Sequence, residues 1–221
     1  MKKSILTLAL MGTFTGVWAQ SAGSWLVQGG VTQISPSVSS GALSAPSPSG
    51  TTIDVGSDTR PTLQLTYVYD EHLAVAVPLG TGFKHKLYGT GAISNVGQIG
   101  TVTALPITVF AQYRFGEAQA KFRPYAMLGL SYVHFSDAQG SATLNSLNPL
   151  NPVGGSTGMK VDSKLALSPG LGMSIQMNDR WFLDFSYAKT FLKTTTTLST
   201  GQTIQTTLDP GIATFGVGMK F

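Results

Sequence analysis

The sequence predicts an all-β fold, an eight-stranded antiparallel transmembrane β-barrel of up-and-down topology with both termini on the periplasmic side. Three observations predict it. Residues 105–135 alternate two unlike faces through two runs of about ten residues or more, the length a tilted strand needs to cross a bilayer. Charged residues make up 11% of the chain, against roughly 25% in an ordinary soluble protein. After Gln20, no window is apolar for long enough to form a spanning helix. Any crossing is then made by strands, which survive in lipid only when the sheet closes and leaves no unpaired edge.

The chain opens with Lys2 and Lys3, an apolar run over residues 5–17, and Val17-Trp18-Ala19. A basic start, a short apolar core and a small-residue site predict a secretory signal peptide over residues 1–19, cut after Ala19, followed by one barrel domain over 20–221. Without Lys2 and Lys3 the 14 basic residues fall to 12 against 10 acidic ones, which offers no basic face for nucleic acid. The absence of cysteine excludes disulfides, thiolate metal sites and a lipid anchor on an N-terminal Cys.

Eight segments carry the alternation. Residues 24–36 turn Trp25, Val27, Gly29 and Val31 outward and Gln28, Gly30 and Thr32 inward. Residues 59–70 send Leu63, Leu65, Tyr67 and Tyr69 out, and Asp70-Glu71 turns the chain into 72–79, with Leu73, Val75, Val77 and Leu79 out. Residues 105–115 and 122–135 form a hairpin about the turn GEAQAK. In 164–177, Leu165, Leu167, Leu171, Met173 and Ile175 oppose a face of Ala, Ser, Gly and Gln, and Asn178-Asp179 turns into the next strand. There Trp181, Leu183, Phe185, Tyr187 and Phe191 alternate with Asp184, Ser186, Ala188 and Thr190. The eighth strand sets Phe215, Val217, Met219 and Phe221 against Thr214, Gly216, Gly218 and Lys220. The intervening segments 37–58, 80–103, 136–162 and 194–206 read as loops.

Long and short connections alternate, as in bacterial outer-membrane barrels with short periplasmic turns and longer external loops. Trp25, Tyr67, Tyr69, Tyr113, Phe115, Trp181 and Phe221 share the outward parity near the periplasmic boundary, where amphipathic rings settle. A soluble lipocalin-like barrel is the alternative, with the apolar face inward. Its water-facing side would then be Gly, Ala, Ser and Thr, not the charged mixture that soluble surfaces carry.

Enzyme motifs are absent: there is no GxSxG, HExxH or P-loop, and His134 near Ser136 and Asp137 is adjacent in sequence only. The expectation is a protein that is not an enzyme and carries no cofactor and no metal. Lys84, His85 and Lys86 are a candidate lipopolysaccharide contact, because cationic donors pair with phosphate. Gln64, Gln112, Arg114, Asp184 and Lys220 fall on the inner face. In so small a barrel they read as interior bracing, with Asp184 as the carboxylate that an inward Arg or Lys needs.

The runs LPITVFAQYRFGEAQAKFRPYAMLGLSYVHF, GFKHKLYGTG and LDPGIATFGVGMKF resemble the OmpW family of outer-membrane proteins in order and spacing, over nearly all of the mature chain. The FRPY segment at 122–125, the LDP at 208–210 and the terminal Phe221 are the more specific markers. The resemblance implies a bacterial outer-membrane protein with a narrow hydrophobic channel open to the outside, handling small hydrophobic molecules and releasing them laterally. One departure stands out: the family's seventh strand places bulky aromatics where this chain has Ala188. For such a channel the apolar candidates are Leu79, Phe83, Leu87, Met127, Val133 and Ala188. The expected partners are outer-membrane lipids, lipopolysaccharide and small hydrophobic molecules. The alternative is a structural or adhesion/receptor barrel whose external loops bind partners without transport.

Overall fold

The computed structural model describes residues 22–147 and 157–221. The expected signal peptide lies outside them.

Among the described residues fourteen strands and one short helix follow in order: β1 Trp25–Ser35, β2 Ser39–Ser40, β3 Thr51–Val55, β4 Asp58–Val68, β5 Leu73–Gly80, β6 Phe83–Gly91, β7 Gln98–Arg114, β8 Phe122–Gly140, α1 Ala142–Leu147, β9 Met159–Val161, β10 Lys164–Gln176, β11 Trp181–Lys189, β12 Lys193–Leu198, β13 Thr203–Thr207 and β14 Gly211–Lys220. Eight of them close the membrane wall in the order β7-β5-β4-β1-β14-β11-β10-β8, and the β7–β8 pairing shuts the ring. All pairings are antiparallel, and β1 meets β14 from Leu26↔Lys220 to Ser35↔Gly211.

Outward parity is as the alternation predicts. Leu63, Leu165, Leu171, Phe185 and Tyr187 are each at least half exposed, a face that only lipid can cover. At the periplasmic end Trp25 meets Tyr67 at 5.0 Å, His72 stacks on Tyr113 at 5.5 Å and Tyr113 meets Phe115 edge-on at 5.1 Å, forming an aromatic belt. The three short turns share that end with the chain termini. In the β7–β8 turn Gly116 has φ +73°, a conformation that residues with a Cβ rarely adopt.

The predicted loops are not loops throughout. A second ring stands above the wall, running β7-β8-β9-β12-β13-β2-β3-β6 and back to β7. Its seams are the Gln139↔Gly158 bridge, Thr196↔Val161, Thr194↔Thr206, Thr206↔Ser40, the bond from Leu43 N to the Thr51 carbonyl, Val55↔Leu87 and Phe83↔Ala104. Among the described residues only β7 and β8, with 17 and 19 residues, run through both rings. The segments 37–58, 80–103, 136–162 and 194–206 therefore contain strands. Threonine favours the pleated surface; β12–β13 is a local hairpin, whereas the Thr206↔Ser40 and Thr196↔Val161 seams join partners too far apart in sequence for local alternation to reveal them. The main apolar core fills this upper ring, where Val55, Leu87, Ile99, Val102, Val133, Leu144, Leu192 and Leu208 pack together.

Candidate functional site

The lumen has three levels. The lowest is a polar floor built by the inward positions of β1, β7, β8, β10 and β11. Arg114 donates to Gln112 Oε1 at 3.2 Å and to Ser174 Oγ at 2.9 Å, while Ser174 donates to Asp184 Oδ2 at 2.7 Å. Tyr125 donates its hydroxyl to Asp184 Oδ1 at 2.9 Å, and the Arg114 guanidinium lies 5.3 Å from the Tyr125 ring centre. Asp184 thus serves Arg114 through Ser174. Arg123, also buried, donates to the Glu71 carbonyl of a periplasmic turn. Lys220 is buried at the same end. A hydrogen-bonded network of this kind offsets much of the cost of the charges it buries, although Nε of Arg114 and of Arg123 finds no hydrogen-bond partner among the described residues, and it fills the periplasmic end of the lumen with polar side chains.

Rings seal the lower lumen by lying over glycines of the facing strand. Tyr125 covers its ladder partner Gly172, Phe182 covers Gly218, and Phe110 covers Gly129. Above the floor, Phe110, Tyr125, Met127, Ala76 and Ala188 form an apolar layer. Bulk over the floor comes from Phe110 and Tyr125, while Ala188 supplies none.

The middle level is a cavity lined by Thr32, Gln64, Phe83, Thr108, Met127 and Ala188, and also by Leu63, Pro78, Leu79, Leu105 and Pro106. Leu63 and Leu79 belong to the outer face. The cavity reaches the outside because the wall is unzipped beside it. β5 pairs with β7 from Leu73↔Tyr113 to Ala76↔Phe110, and β6 resumes at Phe83↔Ala104. Between these ladders, residues 77–82 and 105–109 have no ladder partner across the seam. Pro78 and Pro106 fall in this stretch, as suits residues that lack an N–H for a ladder.

The upper level is a cavity lined by Val55, His85, Leu87, Val102, Val133, Leu192 and Leu208 among others. Ile34, Pro106 and Ile212 line both cavities, which are therefore contiguous. Hydroxyls at the join satisfy one another: Thr62 with Thr32 at 2.8 Å and Thr32 with Thr214 at 3.0 Å on one side, Thr108 with Ser131 at 2.8 Å and Ser131 with Ser168 at 2.9 Å on the other. Paired in this way, they present little unmet polarity to an apolar solute.

The channel candidates divide. Leu87 and Val133 line the upper cavity, and Phe83, Met127 and Ala188 the middle one. Leu79 is 45% exposed on the outer surface, at the rim of the seam and not in the lumen, because strand parity turns it away from the interior. The bracing residues Gln112, Arg114, Asp184 and Lys220 are buried in the floor region, whereas Gln64 sits higher in the middle cavity with its amide 3.4 Å from Thr66 Oγ1. Lys84-His85-Lys86 does not form one cationic cluster. Lys84 and Lys86 point outward, and His85, 4% exposed, points into the upper cavity, since neighbours on a strand occupy opposite faces. His134 is exposed and meets Ser163 Oγ at 3.2 Å, while Ser136 donates to Asp137. Sequence reading missed Tyr125, Ser174 and Arg123 in the floor, and the prolines at the seam.

At the extracellular end of β4, Asp58 Oδ2 accepts the Lys84 N–H at 2.7 Å and Arg60 Nε at 2.7 Å. Burial alone would raise the proton affinity of this carboxyl. The bond to Arg60, the Lys84 N–H and the Arg60 charge outweigh burial and hold it below the ordinary carboxylate range.

A closed eight-stranded wall with a lipid-facing apolar surface, aromatic belt and short periplasmic turns defines a bacterial outer-membrane β-barrel. The profile of the OmpW family matches residues 21–221, and the chain belongs to that family. Outer membrane protein W of Vibrio cholerae serotype O1 is 30% identical over 227 residues, spanning 100% of both chains, and that of Escherichia coli K12 is 29% identical over 226 residues at the same coverage. Among solved structures, OprG from Pseudomonas aeruginosa superposes with a TM-score of 0.80 at 24% identity, over 91% of this chain and 97% of its own. AlkL, determined in DMPC bilayers, gives 0.66 at 20% identity, over 98% and 97%. The fold and the outer-membrane location follow from these relationships.

Proposed function

We propose that the barrel admits small hydrophobic molecules from the extracellular side and releases them sideways into the outer membrane. One observation carries this reading: two contiguous, largely apolar cavities lead from the upper ring to the unpaired seam at residues 77–82 and 105–109, above a hydrogen-bonded floor. A solute that prefers a dry lining gains by entering the cavities. The floor offers it a desolvated ionic network, and the seam offers it acyl chains, so the exit is lateral. The reading needs no bond-making step. Lys84 and Lys86, directed outward from β6, would meet lipopolysaccharide phosphate beside the entry.

The test uses the absence of cysteine in the native chain. Leu79→Cys and Ile107→Cys, one on each side of the seam, are joined with a short bis-maleimide, and uptake of a radiolabelled alkane is followed in cells lacking their own OmpW-family protein. Uptake above the deletion background that is lost on joining supports lateral exit. Uptake that survives joining overturns lateral release. Equal uptake with and without the barrel overturns transport altogether and leaves the receptor or adhesion reading.

A further inference from the structure

The polar groups of the upper cavity are mostly engaged. Thr190 is bonded to Ser168 at 2.8 Å, Ser131 is held by Thr108 and Ser168, and Thr194 donates to the Asp162 carbonyl at 2.6 Å. His85 differs. Its Nδ1 lies 2.7 Å from the Gly56 carbonyl. A carbonyl can only accept, so the proton sits on Nδ1 and Nε2 is an acceptor. That nitrogen has no partner among the described residues, on a side chain that lines the cavity beside Val55 and Leu87. Thr206, which lines the same cavity, is a second unmet group: its hydroxyl is buried and unpartnered among the described residues. An apolar cavity that filled only with hydrocarbon would leave both groups desolvated and unpaired.

We propose that His85 is the specificity-determining residue of the upper cavity, and that its ligands are amphiphiles with an alkyl tail and one neutral hydrogen-bond-donating head, an alcohol or an un-ionised carboxylic acid, bonded to His85 Nε2. This rests on the reading of the cavity as a site for hydrophobic molecules and narrows the class. The head must be neutral because Lys84 and Lys86 face the other side of β6 and Arg60 is already paired with Asp58 at 2.7 Å, so a carboxylate would be buried without a counter-charge of its own. It must donate because an ether or alkane of equal size leaves Nε2 unpaired, and sites built for a donor discriminate on that difference.

The test compares two isomers, 1-decanol and methyl nonyl ether, at equal mole fraction in phospholipid nanodiscs holding the whole barrel. NMR follows the methyl groups of Leu87 and Val102 and the ring nitrogens of His85. The alcohol is expected to bind roughly 3- to 10-fold more tightly than the ether and to move the Nε2 resonance. In His85→Asn the amide keeps a donor for the Gly56 carbonyl but lacks the Nε2 acceptor, and the preference disappears. Equal binding of the isomers, or a preference that survives His85→Asn, overturns the proposal and leaves the hydrophobic cavity standing. If neither compound moves the cavity methyls, the parent reading falls with it.

Discussion

Tyr125 on β8 donates to Asp184 on β11 at 2.9 Å, reaching across β10, which lies between them in the wall. The bond ties non-adjacent strands, so the floor braces the barrel as well as closing it. Asp184→Leu leaves the Arg114 guanidinium buried without its carboxylate and is expected to cost about 3–5 kcal/mol. Tyr125→Phe removes one bond to a charged group and is expected to cost about 1–3 kcal/mol. Urea unfolding from lipid vesicles checks both, with Asp184→Leu the larger loss.

The two faces of β10 differ sharply in what they tolerate. Leu171 is 67% exposed to lipid, and Leu171→Arg is expected to cost about 2–4 kcal/mol if the site lies near mid-membrane. Next to it Gly172 lies under the Tyr125 ring, where any Cβ would overlap ring atoms. Gly172→Val should displace that ring and loosen the Asp184 bond. Ion conductance in planar bilayers is expected to be higher for this variant than for the native barrel.

His85 also predicts a pH effect, and it lies in the upper ring, outside the membrane. Burial lowers its proton affinity below the ordinary histidine value of 6.5, against smaller opposing effects from the Gly56 carbonyl and Asp58, while Arg60 lowers it further. The unfolded chain therefore takes up the proton first. Stability from this site is complete above the ordinary value and is lost as pH falls from there toward the folded value. Melting temperatures between about pH 8 and about pH 5 should decline less in His85→Asn than in the native chain.

Lys84 and Lys86 give an outcome separable from His85. Lys84→Glu/Lys86→Glu is expected to reduce lipopolysaccharide retained by the purified barrel, most clearly at low salt, where exposed charges are least screened. His85→Asn should leave retention unchanged, because its side chain faces inward.

The wall was legible in the sequence because strand parity is local. Leu165, Leu167 and Leu171 alternate with small residues whatever the rest of the chain does. The inward polar set of Gln112, Arg114 and Asp184 was legible for the same reason. Ser174 as the link between Arg114 and Asp184 was not, since that depends on the register of β10 with β8 and β11. Pro78 and Pro106 lie at the seam but pair on their other edges with Gln64 and Val133, and Pro61, Pro124 and Pro169 stand in ladders elsewhere in the wall, so proline alone did not mark it. Taking Lys84-His85-Lys86 as one patch ignored the parity that governed every other strand. Although its β12–β13 segment is a local hairpin, the closure of the upper ring left no local trace, because Thr206 and Ser40 pair across most of the chain.

That last separation has a kinetic consequence. The β7–β8 ladder closes through a turn of a few residues, whereas β13 can meet β2 only after nearly the whole polypeptide has been threaded into place. The amides of β2 and β13 should therefore be protected late in a pulsed hydrogen-exchange refolding experiment, together with those of β1 and β14, whose Leu26↔Lys220 pairing spans still more of the chain. An assembling molecule passes through a stage in which the β7–β8 ladder already runs through both rings while neither the wall nor the extracellular ring has closed.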